Sequence, residues 1–289
     1  MSATGSSPRS PEPHAHCVLR PPFDTLWATN DAFAAARAVR GRLVRDLEGR
    51  QTLRFEVGGK GYYLKRHRGA GWSEIFNNLL RLRLPVLGAG SEWRAIEAFH
   101  HAGIPTMNAV AFGERGRGPA GRESFLITEA IEPAIDLDVH TRDWVHTPPA
   151  PAHKHALIHR VAGIARRMHD AGINHRDFYL CHFLLHLDAD TNDTRATPRV
   201  SVIDLHRAQL RARTPERWRN KDLAALYFSA LRIGLTSRDR LRFLRTYFDA
   251  PPRVVLARER TRLAWLEREA ERLLRRYDRK FAHRPELQR

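Results

Sequence analysis

The chain reads as an α+β protein in two parts, a small antiparallel sheet followed by a mainly helical half. Three observations predict this. Alternating segments broken by glycine turns crowd residues 41–66. From residue 154 onward, apolar residues recur at helical spacing. No run approaches the roughly 18–20 apolar residues that a membrane helix needs, and 42% hydrophobic with 28% charged residues is the balance of a globular protein.

The elements follow in order. Residues 1–20 are Ser-, Pro- and Gly-rich and are expected to be a flexible tail without a hydrophobic signal core, which implies a cytoplasmic protein. Residues 42–45 are β-compatible, and 52–57 alternate apolar with polar as a half-buried strand does. Gly58-Gly59-Lys60-Gly61 reads as a turn, and Tyr62-Tyr63-Leu64-Lys65 as a third strand. Helices are expected near 72–82 and over 91–102, the latter with Ser91 as N-cap and Gly103 with Pro105 as its stop. Strands follow at 109–112 and 124–128. In the second part, 154–171 places Leu157, Val161, Ile164, Ala165 and Met168 on one helical face. A strand is expected at 200–203, then helices over 216–234, 238–248 and 254–281. The expected division is a tail over 1–20, a sheet-bearing lobe over 21–131 and a helical lobe over 132–289.

A net charge of +17 favours anionic partners: nucleic acid, an acidic membrane surface or a phosphorylated ligand. No nucleic-acid-binding signature accompanies it. The two cysteines, Cys17 and Cys181, are too few for a disulfide framework and fit a reducing compartment.

The residues richest in chemistry lie at 172–185. His175-Arg176-Asp177 is followed five positions later by His182. Protein kinases use H-R-D-x-x-x-x-N, in which the Asp takes the acceptor proton and the Asn meets metal. Asp177 is therefore the candidate base. His182 stands where the Asn would be, and is either a metal contact or a buried structural histidine, since Mg²⁺ prefers oxygen. Asp204 ends an apolar strand, where a second acidic metal ligand belongs. Lys65 ends the third strand, where a phosphate-holding lysine belongs, and Glu92 opens the helix that would orient it; Glu97 is the solvated alternative. Thr128-Glu129-Ala130 leads from a strand into a linker and is the candidate segment for reading adenine through backbone groups. No G-x-x-x-x-G-K-[ST] loop is present, so Lys60 is a turn residue. The loop at 46–51 carries Gly49 alone, so a glycine-rich phosphate lid is missing or degenerate.

These motifs make the chain similar to bacterial lipopolysaccharide core heptose(I) kinases, which have a protein-kinase-like bilobal fold. The resemblance runs from about Val44 to the C-terminal helices. It is carried by Leu53-Arg54-Phe55-Glu56, by 64–69, by 78–80 with 83–89, by Ala111-Phe112-Gly113-Glu114, and most specifically by 172–177, 181–186 and 201–210. It implies ATP- and Mg²⁺-dependent phosphorylation of the first heptose of the inner core. Asp177 then matches the catalytic aspartate, and Lys65, Glu92, His182 and Asp204 match the other active-site positions. The acceptor is an anionic lipid A–core glycolipid at the cytoplasmic face of the inner membrane, which gives the basic charge a purpose and places the protein there peripherally. Arg66, His67, Arg68, Arg81 and Arg83 become candidates for phosphate or lipid contact, and Arg207, Arg211 and Arg213 for the acceptor. The resemblance also implies acyl carrier protein as a partner and gives no role to nucleic acid. A same-fold kinase for another acceptor, a membrane-associated pseudokinase scaffold and a nucleic-acid binder are the competing readings.

Overall fold

A computed structural model describes residues 16–47, 49–67, 88–116, 122–187 and 197–283. The helix expected near 72–82, Arg68, Arg81 and Arg83 lie outside the described residues. The chain divides into two compact units, Met1–Trp93 with Asn108–Ala130, and Arg94–Met107 with Ile131–Arg289.

The first unit is built on a six-stranded sheet. Its strands are β1 (His16–Leu19), β2 (Arg42–Leu47), β3 (Arg50–Val57), β4 (Lys60–His67), β5 (Ala109–Arg115) and β6 (Glu123–Glu129), in the order β1-β5-β6-β4-β3-β2. Every neighbouring pair is antiparallel. Strand β1 corrects the expected tail. His16–Leu19 pairs with β5 from His16↔Glu114 to Leu19↔Ala111, and so covers an edge that β5 would otherwise expose. The turn is also shorter than its sequence suggests. Gly58 and Gly59 both have positive φ, as a two-residue hairpin requires, and Lys60 and Gly61 already belong to β4. Likewise Asp46↔Gln51 and Leu47↔Arg50 pair, so strand pairing takes up most of the loop expected at 46–51.

Two helices, α1 (Phe23–Leu26) and α2 (Ala32–Ala38), lay Phe23, Phe33 and Ala36 on one face of this sheet. There they meet Leu53, Phe55, Tyr62, Leu64, Phe125 and Ile127. Phe23 packs edge-on to Tyr62, and Phe33 edge-on to Phe125, each with centroids 5.2 Å apart. Burying such a side chain contributes about 1.5–3 kcal/mol.

Helix α3 (Gly90–His101) gives its first turn to the first unit and the rest to the second. Ser91 is not its N-cap. The cap lies two residues earlier, with Trp93 N–H donating to Ala89 O, and the Ala89 N–H is satisfied by Ser124 Oγ at 2.9 Å.

The second unit places α4 (Leu137–Thr141), α5 (Pro151–Asp170), α6 (Glu216–Ala230), α7 (Ser237–Phe248), α8 (Pro252–Arg258) and α9 (Arg260–Lys280) beside two small sheets. One sheet has the order β10 (Val200–Val202), β9 (Phe183–His186), β7 (Ala134–Asp136); the other pairs β11 (Gln209–Leu210) with β8 (Ile173–Asn174). Pro151 occupies the first turn of α5, where its missing N–H costs nothing. Leu157, Val161, Ile164, Ala165 and Met168 are buried along the helix face that their spacing predicts. The single helix expected over 254–281 is broken at Glu259, where α8 turns its buried Val255 onto α7 and α9 starts afresh along α6. Helices α6, α7 and α9 border a cavity of about 480 Å³ lined by Leu223, Leu226, Phe243, Leu244, Leu263 and Leu266. Among the described residues, no helix is long and apolar enough to cross a membrane.

Candidate functional site

The candidate residues fall into two sets, one in each unit. In the first, strand alternation decides orientation. Tyr62 and Leu64 point into the aromatic core, so Lys65, registered between Thr52 and Leu126, points to the other face. There its Nζ lies 2.5 Å from Glu92 Oε1. Glu92 stands in the first turn of α3 and is 1% exposed; Lys65 is 12% exposed. The geometry selects Glu92 over Glu97. Glu92 Oε2 has no donor among the described residues.

Thr128 is buried at the end of β6. The Glu129 N–H donates to Asn108 O and the Ala130 N–H to Gly61 O, both at 2.9 Å. These two donors are committed within the sheet. Two of the proposed surface contacts are also turned inward: Arg66 donates to Val39 O at 2.7 Å, and His67 is buried.

In the second unit the loop begins with a forced conformation. Gly172 has φ +79°, and a Cβ there would lie 1.9 Å from Arg211 O. The adjoining β8–β11 pairing fixes the chain with Leu210↔Ile173 and Gln209↔Asn174. Next, Asp222 of α6, 1% exposed, accepts the His175 N–H at 2.7 Å and the Arg176 N–H at 2.9 Å. His169 Nε2 lies 3.4 Å from the same carboxylate. Sequence reading missed Asp222, because its partners are backbone groups and leave no motif. Phe178 anchors the following turn as a fully buried ring between His175 and Phe183.

His175 is wholly buried. Its Nε2 is 3.0 Å from Ile203 O, and its Nδ1 accepts from the Asp177 N–H at 3.3 Å. That pattern demands the neutral ring protonated on Nε2. Burial above all holds its pKa below the ordinary value, against the pull of Asp222.

Asp177 thus emerges with its backbone fixed and its carboxylate partly open, 17% exposed. Arg207 Nη1 sits 2.8 Å from Oδ1 and 3.1 Å from Oδ2. His182 bridges the two candidate acids: its Nδ1–H donates to Asp177 O at 2.6 Å, and its Nε2 lies 3.7 Å from Asp204 Oδ2. Burial opposes charge on His182, but the Cys181 sulfur, the Asp177 carbonyl and Asp204 outweigh it and push the imidazole up to about 9. The other Asp204 oxygen is 2.5 Å from His206 Nδ1. Arg176 and Asp204 both occupy the left-handed region, with φ 74° and 63°. For residues other than glycine this is strained and clusters at functional sites.

The donor set suits a hard cation in outline. Asp204 supplies carboxylate oxygen, with His206 Nδ1 2.5 Å from Oδ1 and His182 Nε2 3.7 Å from Oδ2. Among the described residues no three or more His, Cys, Asp or Glu side chains gather as a metal cage. Mg²⁺ does not need one, because it is commonly held by one or two side chains plus water and phosphate oxygens.

Comparison with known proteins gives one consistent picture. Residues 34–247 match the Lipopolysaccharide kinase (Kdo/WaaP) family. The chain is 57% identical over 263 residues to the lipopolysaccharide core heptose(I) kinase WaaP of Pseudomonas aeruginosa, covering 91% of this chain and 96% of the relative. It is 50% identical over 262 residues to the Escherichia coli protein of the same name, covering 91% and 98%. A solved structure described as WaaP in complex with acyl carrier protein superimposes with a TM-score of 0.77 at 53% identity, over 89% of this chain and 99% of that one.

Proposed function

The chain belongs to the lipopolysaccharide kinase (Kdo/WaaP) family and has its kinase-like fold, and from that membership we propose that it transfers phosphate from ATP to the first heptose of the lipopolysaccharide inner core. The observation that carries this reading is the pair Asp177 and Asp204, each on its own loop and joined through His182.

Phosphoryl transfer asks for positioning and charge neutralisation more than covalent chemistry. Lys65, oriented by Glu92, binds nucleotide phosphate oxygens. The Thr128–Ala130 segment offers backbone carbonyls to the purine, since two of its N–H groups are already bonded. Asp204 and, once its Nε2 proton is displaced, His182 would hold Mg²⁺, which when bound would neutralise phosphate charge. Asp177 accepts a hydrogen bond from the heptose hydroxyl and takes its proton as the oxygen bonds to phosphorus and ADP departs. A positioned base of this kind contributes on the order of 10²–10⁴ in rate. Arg207 holds the Asp177 carboxylate until the hydroxyl arrives, then turns to the incoming phosphoryl charge.

The basic chain works at the anionic cytoplasmic face of the inner membrane, held peripherally. Acyl carrier protein is its proposed partner, by likeness to the solved complex. The apolar cavity bordered by α6, α7 and α9 would take a hydrocarbon chain delivered by such a carrier. The enzyme reading is tested by incubating dephosphorylated core glycolipid with ATP. The expected result is a mass gain of one phosphate on heptose that requires enzyme, ATP and a divalent cation. Transfer to another sugar or to none would overturn it.

A further inference from the structure

One side chain next to the catalytic loop gathers an unusual set of charges. Four cations surround the Trp218 ring: Lys221 at 4.7 Å from its centroid, Arg217 at 4.9 Å, Arg176 at 5.5 Å and Arg211 at 5.7 Å. Trp218 lies at the start of α6, the helix that also supplies Asp222. None of the four cations makes an ion pair among the described residues. Arg211 bonds two neutral amide oxygens, Asn174 Oδ1 at 2.5 Å and Gln209 Oε1 at 2.7 Å. The acid that feels Lys221 is Glu269, and both its oxygens are taken by Arg272 at 2.6 and 2.7 Å.

An aromatic face attracts a cation, but it cannot neutralise several cations that repel one another. Arg176 is disfavoured as a cation first by burial and then by the like charges of Arg207 and Arg211, against the pull of Asp177 and Asp222. The strained backbone of Arg176, pinned by Asp222, holds its guanidinium in this group rather than free in solvent. Three of the four are arginines, whose planar forks match carboxylate and phosphate. The location narrows the ligand. Arg176 immediately precedes Asp177, and Arg207 on Asp177 is near enough to act on it. A molecule whose hydroxyl meets Asp177 can therefore reach the cluster with a second group.

We propose that Trp218, Arg176, Arg211, Arg217 and Lys221 form an anion subsite that binds a phosphate or carboxylate carried by the acceptor, beside the hydroxyl presented to Asp177. This rests on the kinase reading above for the identity of the molecule, and on the cluster's own geometry for the anion. The subsite sets acceptor affinity and register, and favours sugars that carry the charge.

The test uses the full chain and the double variant Arg217→Gln/Lys221→Gln, both of whose sites are exposed. Each is assayed with the charged core glycolipid and with the same acceptor after dephosphorylation and methyl esterification. The expected result is an acceptor KM raised at least about tenfold on the charged acceptor, little changed on the neutral one, with kcat within about threefold and the KM for ATP within about twofold. A second double variant, Arg275→Gln/Arg279→Gln on α9, removes the same charge elsewhere and is expected to leave the acceptor KM within about twofold. An unchanged KM, an equal rise on both acceptors, or an equal rise in the α9 variant would overturn the subsite. Equilibrium binding of the charged glycolipid without ATP separates this from the kinase reading. If neither acceptor is phosphorylated, that reading falls, and the subsite stands only if wild type binds the glycolipid at least about tenfold tighter than the variant. If the variant loses affinity for acyl carrier protein and keeps it for the glycolipid, the cluster is a protein docking site and the proposal fails.

Discussion

Lys65 and Glu92 hold each other, whereas Asp177 is held by residues that take no part in its carboxylate chemistry. In the first unit a strand register and one helix turn suffice to bury the Lys65–Glu92 ion pair. In the second, Gly172, His175, Asp222 and Phe178 fix a loop through backbone bonds and packing, and the carboxylate itself meets only Arg207 among the described residues. The difference has a physical basis. The buried pair matches charge with charge and leaves Glu92 Oε2 without a donor among the described residues. A loop carboxylate with the proposed role of accepting a proton has to stay open, so its stability must come from elsewhere.

Substitutions should separate the two designs. The largest stability effect is expected from Lys65→Met, which strands a buried carboxylate at Glu92 and should cost roughly 3–5 kcal/mol in denaturant unfolding. Adding Glu92→Leu should recover most of that loss while transfer stays absent. Failure of the second change to restore stability would show that the pair is not self-contained. A somewhat smaller loss, roughly 2–5 kcal/mol, is expected for Asp222→Ala, which leaves two buried N–H groups without an acceptor. Here no simple apolar partner change should rescue the fold, and catalysis should fall further than nucleotide binding.

The smallest effect is one of pH and belongs to the second unit. His140, His153 and His175 are all held below the ordinary histidine pKa, in each case first by burial. Their neutral forms are therefore the folded ones. The stability they contribute is present above about pH 6.5 and is lost as the pH falls toward their depressed values, because the unfolded chain takes up protons first. His140 and His153, with Nε2 atoms 3.0 Å apart, cannot both charge without repulsion. His182, pushed up to about 9, acts the other way and gives its full stabilisation only below about pH 6.5. Thermal midpoints measured from pH 6.5 to 5 should therefore fall, and His153→Gln should flatten part of that slope. An unchanged slope would remove this pair from the account.

What the sequence showed depended on where the partners lie. Lys65, Asp177 and Asp204 sit in local patterns, a strand or a short loop, so residue type and spacing marked them as candidates, and the structure gives Lys65 its expected partner Glu92. Asp222 escaped because it binds main-chain N–H groups. Ser91 was misread as a cap because the true support, Ser124, comes from a strand distant in sequence. Strand β1 was hidden by the composition of the tail around it, and its pairing with β5 supplies what four residues alone do not. The break at Glu259 was masked by an apolar spacing that continues across it into a second helix. In each miss a tertiary partner overrode a correct local preference.

Asp177 is proposed to perform the proton step on a scaffold that does not need its carboxylate. Single-turnover transfer of labelled phosphate from ATP to dephosphorylated core glycolipid, compared for wild type and Asp177→Asn, tests it directly. The expected result is a rate lower by about 10²–10⁴, with ATP affinity within about twofold and the same thermal midpoint within a few degrees. Transfer at a near-normal rate would contradict the account.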